Sequence, residues 1–177
     1  MRIIAGSLGG RTFDSPHSFK THPMSDKIRG ALFNILGDIS ELTVLDAFAG
    51  SGALSFEAIS RGAASALAID SDRSAQRIIA ENIAKLNLEG RIKLIKASAN
   101  AWLQTNPSQT FDIILCDPPY NDLQPNLLAR LAGYVNSGGL FVLSWPGDQP
   151  PPVLPSLSQI DQRNYGDASL IWYRANS

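Results

Sequence analysis

Between Leu42 and Trp145 the chain alternates short apolar runs with longer stretches of helical periodicity. Thr43–Phe48, Ser65–Asp70, Arg91–Ala97, Phe111–Cys116 and Leu140–Trp145 predict five strands. Ala53–Arg61, Asp72–Leu88, a short segment at Ala99–Gln104, and Gln124–Asn136 predict the intervening helices. In the longest, Ile78, Ile79, Ile83 and Leu86 form the apolar stripe. Gly62 ends the first helix, and Ser137-Gly138-Gly139 reads as the stop of the last. Strand and helix in strict alternation predict a parallel α/β sheet. The pattern then changes. Residues 146–155 hold five prolines and predict a loop. Leu157–Arg163 and Ala168–Tyr173 follow as two strands joined by Asn164-Tyr165-Gly166-Asp167, with no helix between them. The result is a mostly parallel, seven-stranded sheet ending in an antiparallel hairpin.

The first 40 residues read differently. Arg2–Ala5 and Arg11–Phe13 flank a glycine-rich stretch and predict a small hairpin, while residues 17–24 look irregular. Ser25–Leu36 predicts a helix with Ser25 as its N-cap. Ile28, Leu32, Ile35 and Leu36 share one face, which places Lys27 and Arg29 elsewhere. The expected organisation is an appendage, 1–40, docked on a main domain, 41–177.

Bulk properties narrow the classes. No apolar stretch reaches the ~18 residues of a membrane span, and no signal-peptide core is present. A single cysteine, Cys116, fits a reducing cytoplasm. In its apolar strand it reads as packing rather than a nucleophile. Two histidines and one cysteine offer little for zinc, so no metal is expected. Net charge is −1, but residues 1–30 carry +3 and the remainder −4. A basic arm on a mildly acidic body can contact phosphates. No exposed apolar helix face suggests a dimer, so a monomer is expected.

The chemistry lies at strand ends, where open α/β sheets bind ligands. The first strand runs into Asp46-Ala47-Phe48-Ala49-Gly50-Ser51-Gly52. Gly50 and Gly52 permit unusual backbone angles and close approach of a ligand. Asp46 can orient this loop or, through water, meet an ammonium group. The turn lacks the third glycine of a dinucleotide fingerprint. Asp70 ends the second strand about twenty residues later, where an acid accepts ribose hydroxyls. NAD enzymes share that arrangement, and the alternative role, capping the next helix, is open to Ser71 or Asp72. Phe48, Ser51 and Ser71 complete the candidate nucleotide site. Ser98 and Ala99 follow the third strand at the position that contacts adenine, with Asn100 as a substitute.

Asp117-Pro118-Pro119-Tyr120 closes the fourth strand and separates methyl transfer from hydride transfer. An aromatic amine is a poor nucleophile because its lone pair is delocalised. The Asp117 carboxylate and the Pro118 carbonyl can accept both amine hydrogens and turn that lone pair toward a methyl donor. Pro118 and Pro119 stiffen the turn. Tyr120 can stack on the base, a contact worth ~1–3 kcal/mol. The expected cofactor is S-adenosylmethionine (SAM).

These residues resemble the RsmD family, which methylates the exocyclic N2 of one guanine in 16S ribosomal RNA. The resemblance covers Met1–Gly6, Gly10-Arg11, Pro23–Asn34, Leu45–Ala53, Asp117–Tyr120 and Tyr165–Tyr173. It implies a Rossmann-like class I SAM-dependent methyltransferase fold. It implies 16S rRNA, in a 30S subunit or assembly intermediate, as partner. It implies phosphate contacts from Arg2, Arg11, Lys27 and Arg29, with the Pro23–Arg29 segment closing the site. Where the family shows Arg-Pro-Thr, this chain reads His22-Pro23-Met24-Ser25, and His22 can still bond RNA or cofactor while carrying less charge near neutral pH. The alternatives are an adenine-N6 methyltransferase on DNA or RNA, and a noncatalytic RNA-binding relative. Only 57 residues follow Tyr120, which leaves little room for a DNA target-recognition region.

Overall fold

A computed structural model of the chain describes residues 1–17 and 23–177. Its elements are α1 (Asp26–Leu36), β1 (Thr43–Asp46), α2 (Ala53–Ser60), β2 (Ser65–Asp70), α3 (Arg73–Lys85), β3 (Ile92–Lys96), α4 (Ala99–Thr105), β4 (Phe111–Cys116), α5 (Pro125–Ala132), β5 (Val135–Pro146), β6 (Leu157–Tyr165) and β7 (Ala168–Ala175). The seven strands form one sheet in the order β3-β2-β1-β4-β5-β7-β6. β1 through β5 pair in parallel, and β7 enters antiparallel between β5 and β6. This is the Rossmann-like class I methyltransferase fold with its terminal hairpin.

Strand alternation divides the core into two layers, because successive side chains point to opposite faces. Val44, Ala66, Ile113 and Val142 face one layer with Phe33 of α1, Phe56 and Ile59 of α2, and Ile79 and Ile83 of α3. Their neighbours Leu45, Leu67, Ile114 and Leu143 face the other, with Trp102 of α4 and Leu127, Leu128 and Leu131 of α5. Cys116 is buried in this second layer. Burial pushes its thiol well above the usual range, with the charges of Asp46 and Asp117 adding to the shift. It packs in the core.

Three expectations need correction. The predicted helix Gln124–Asn136 ends at Ala132, with Gly133 as its cap. Ser137-Gly138-Gly139 lies inside β5 instead. There the pairing with β4 shifts register between Phe111 and Ile113, and Asn136 donates to Asp112 Oδ1 at 2.8 Å. The glycines thus mark a β-bulge rather than a helix stop. The second correction concerns Arg29. The sequence places it off the apolar face of α1 as a phosphate contact, but its side chain is fully buried. It donates to the carbonyl of Arg2 at 2.7 Å and to Asp26 Oδ1 at 3.0 Å. Ile35, expected in the stripe, is partly exposed, and Phe33 takes the inner position.

The appendage is anchored through α2 and α3. Arg2 and Thr12 form a single antiparallel bridge, so the predicted hairpin is present in minimal form. Phe13 packs edge-on against Phe56, with ring centroids 5.0 Å apart. Glu57, fully buried on α2, accepts from the amides of Ile4 (2.9 Å) and Ala5 (3.2 Å) and from Arg61 Nε (2.9 Å). Asn82 of α3 exchanges two hydrogen bonds with the backbone of Asp14. Residues 1–17 and α1 therefore share one core with the sheet. Among the described residues no helix is long and apolar enough to cross a membrane.

Candidate active site

The strand order reverses at β1, whose neighbours are β2 and β4. A ligand cleft is expected at such a switch point, beyond the strand carboxyl ends. A cleft of about 450 Å³ lies there. Phe48, Gly50, Ser51, Asp70, Ser71, Ser98, Ala99, Asp117 and Pro119 line it. Residues from four separate strand ends thus converge as the motifs required. Asp46, Gly52 and Pro118 are buried next to cleft-lining residues and take no part in its surface.

The glycine turn is held by Asp70. Its Oδ2 accepts from the amide of Gly50 at 2.7 Å, and its Oδ1 accepts from the amide of Asp72 at 2.8 Å. Burial raises the Asp70 carboxyl above its ordinary value, those two amides oppose the shift, and the Asp72 charge adds to it. The cap of α3 is Asp72, whose side chain accepts from Ala75 N at 3.0 Å, which leaves the Asp70 carboxylate in the cleft wall. Gly50 is left-handed (φ +58°), and nothing lies closer than 4.0 Å to where its Cβ would stand. The open side of that turn is where a ligand fits. Gly52 (φ +84°) has a different reason: a Cβ there would sit 2.8 Å from the buried ring of Phe56. Gly52→Ala is expected to cost about 1–3 kcal/mol of stability and to weaken nucleotide binding, as measured by urea denaturation and by titration with the cofactor.

Asp46 sits beneath this turn with no exposed surface. Ser55 donates to its Oδ2 at 2.7 Å, while Oδ1 is buried without a hydrogen-bond partner. Burial raises its carboxyl to about 7, with Ser55 opposing and the charges of Asp117 and Asp70 adding to the rise. An orphaned buried acceptor beside an open turn and an acid placed for ribose fit the ammonium-bearing, adenosine-containing cofactor SAM. Ser98 caps α4 by accepting from Ala101 N at 3.1 Å and still lines the cleft. Asn100 accepts from Arg130 on the exterior and is not part of the cleft wall.

Asp117 is half-buried at the end of β4. Burial raises its carboxyl to about 6, and a hydrogen bond from Ser144 pulls it part-way back. Ser144 follows Leu143, the register partner of Cys116, on β5, so strand pairing places it beside Asp117. The Tyr120 hydroxyl lies 2.8 Å from Ser144 Oγ and donates to the Trp145 carbonyl at 3.1 Å. Both contacts anchor the exposed Tyr120 ring; Tyr120 itself does not line the cleft, although its chain neighbours Pro119 and Asn121 do. Ser144 and Ser55 escaped the sequence reading because only the fold brings them to the acids. Gln124 also lines the cleft, in a left-handed conformation (φ 49°). The one signal for it is Pro125, which disfavours helix in the preceding residue.

The arm contributes Ser15, Pro16, Pro23, Met24 and Arg29 to the cleft wall. Arg2, Arg11 and Lys27 are exposed. Arg2 pairs with Asp26 at 3.2 Å, and Arg11 donates to the Lys85 carbonyl at 3.4 Å. His22 lies outside the described residues.

The family described as "Conserved hypothetical protein 95" matches residues 1–174. The chain belongs to that family. It is 37% identical over 121 residues to the Escherichia coli Ribosomal RNA small subunit methyltransferase D, an alignment covering 68% of this chain. The chain spans about 60% of that relative's length. An Escherichia coli structure described as a candidate methyltransferase, yhhF, superposes with a TM-score of 0.87 at 29% identity, covering 99% of this chain and 98% of that one. A Shewanella loihica tRNA1(Val) (adenine(37)-N6)-methyltransferase is 41% identical over 86 residues, 47% of this chain and 35% of that protein. This chain is thus a relative of a small-subunit ribosomal RNA methyltransferase D.

Proposed function

We propose that this protein transfers a methyl group from SAM to the exocyclic N2 of a guanine in 16S ribosomal RNA. The observation that supports it most is the meeting of Asp117 with the Gly50–Asp70 turn in one cleft, in a chain related to a small-subunit rRNA methyltransferase. SAM supplies an electrophilic methyl group on a sulfonium. The chain's own residues do the remaining work. Asp70 orients the turn and presents its remaining acceptor capacity to ribose hydroxyls. Ser98 and Ala99 wall the adenine end. Asp117 accepts a hydrogen of the base amine and stabilises the positive charge that develops on nitrogen, while Pro118 stiffens the turn behind it. Tyr120, anchored on β5, stacks on the base. Arg2, Arg11 and Lys27 meet phosphates, while Arg29 serves the site as a buried brace. The chain acts as a cytoplasmic monomer on a 30S subunit or assembly intermediate, recognised largely by shape.

A second reading, adenine-N6 methylation, shares every step. The short match to the adenine-N6 enzyme favours it. Tritiated SAM, small subunits lacking the modification, and nucleoside analysis decide between them. Label in N2-methylguanosine is the expected result. Label in N6-methyladenosine keeps the chemistry and replaces the substrate. Absence of label on subunits and on free RNA, with SAM bound, overturns both.

A further inference from the structure

Gln124 breaks two local rules at once, and it does so in the cleft wall. The caps of α1, α3 and α4 are Ser25, Asp72 and Ser98. Each is extended and accepts a backbone amide with its side chain, which is the ordinary way to satisfy a helix start. The cap of α5 is Gln124, left-handed at φ 49° and ψ 59°, and its side chain makes no capping hydrogen bond. Pro125 bars the helical region to the residue before it but leaves the extended region open, so proline does not account for the left-handed turn. There a Cβ crowds the following carbonyl, and glycine, Asn and Asp are the residues that adopt the region readily. Local rules fail where a functional site requires it. Gln124 is half-buried and lines the cleft, with a carboxamide that the helix does not use.

The fold puts Gln124 at one end of that cleft. Leu127, one turn further along α5, shares the second core layer with Ala99 and Trp102 of α4, and Arg130 of α5 donates to Asn100 of α4. Ser98, Ala99, Gln124 and Leu127 therefore wall the same end of the cleft, the end assigned to adenine. Ala99 and Leu127 offer no polar side chain there. Ser98 already accepts from Ala101 at 3.1 Å. Adenine carries an amine beside a ring nitrogen, a donor next to an acceptor. A carboxamide is its planar complement, with a carbonyl for the amine and an NH2 for the ring nitrogen. We propose that Gln124 is the specificity-determining residue for the cofactor's adenine, its left-handed backbone turning the carboxamide away from the helix start and toward the base. This rests on SAM being the cofactor. The acceptor for the adenine amine is then Gln124 Oε1, from the loop after β4, and not a side chain from the loop after β3.

Equilibrium titration with S-adenosylhomocysteine, and with its analogue bearing purine in place of adenine, reads this contact on the full chain. Loss of the amine is expected to weaken binding ~5-fold to the unmodified protein and by less than ~2-fold to Gln124→Gly. Glycine adopts the left-handed turn freely, so the urea midpoint of Gln124→Gly is expected to hold or rise. Affinity is thus lost without loss of stability, which a merely structural role does not produce. Gln124→Asn also tolerates the turn but is one methylene shorter, and is expected to lose the amine effect as well. Gln124→Glu retains the acceptor and is expected to keep it. An undiminished amine effect in Gln124→Gly or Gln124→Asn overturns the inference and leaves the cofactor reading intact. So does an amine effect that survives in Gln124→Gly and disappears in Ser98→Ala, which would return the contact to Ser98. Equal binding of the two ligands to the unmodified protein also overturns the inference alone. No binding of S-adenosylhomocysteine to the unmodified protein overturns the cofactor reading and the inference together.

Discussion

Asp117→Ala is expected to lower kcat by ~10³-fold while changing the affinity for SAM by less than ~10-fold. The asymmetry follows from what the carboxylate touches. It faces the cleft from the end of β4 and is tied to Ser144, whereas the glycine turn is ordered by Asp70. Loss of Asp117 therefore removes an acceptor for the reacting amine and leaves the nucleotide site standing. Its raised carboxyl also sets a pH limb. The acceptor must be ionised, so kcat at saturating cofactor is expected to fall as pH drops through about 6. Asp117→Asn keeps the shape and one acceptor oxygen, and loses both the charge and that limb. Single-turnover methylation and equilibrium cofactor titration on the same preparations check the split. Equal losses in kcat and affinity would assign Asp117 to binding.

The second large effect concerns stability. Glu57→Ala is expected to cost about 3–5 kcal/mol, measured as a shift in the urea midpoint. The carboxylate is fully buried and accepts from the amides of Ile4 and Ala5 and from Arg61, with Arg29 3.8 Å away. Deleting it leaves the fully buried Arg29 guanidinium with only Asp26 as counter-charge and orphans two backbone donors at once. Glu57→Gln keeps an acceptor for the amides and is expected to fall between the two. The damage should also reach the site, because Met24, which lines the cleft, accepts from Arg29 at 3.4 Å.

The strands were legible because their apolar runs are short and each is bounded by a glycine, a proline or a polar cluster. Ser65–Asp70 and Phe111–Cys116 match the sequence expectation residue for residue. The Asp46–Gly52 and Asp117–Tyr120 segments were legible because each places its chemistry in consecutive residues at a strand end. What the sequence hid depends on pairing across the sheet. Ser144 is a plain serine in an apolar strand until β5 aligns with β4. Ser55 and Glu57 look like surface positions on a short helix until the arm and the sheet cover α2 from both sides. The burial of Arg29 is hidden for a related reason. Helical periodicity places a charged residue on the solvent face, and the buried Glu57 together with the half-exposed Asp26 allows it inside.

The arm's attachments also bear on how the chain folds during synthesis. The amides of Ile4 and Ala5 wait for Glu57, 53 and 52 residues later. The backbone of Asp14 waits for Asn82, 68 residues later. Synthesis delivers the arm first, and nothing it docks on has left the ribosome by then. Ile3 and Phe13 thus stay uncovered until α2 and α3 have emerged. An arrest of translation before Asn82 would leave a basic, unsheltered segment at the mouth of the tunnel.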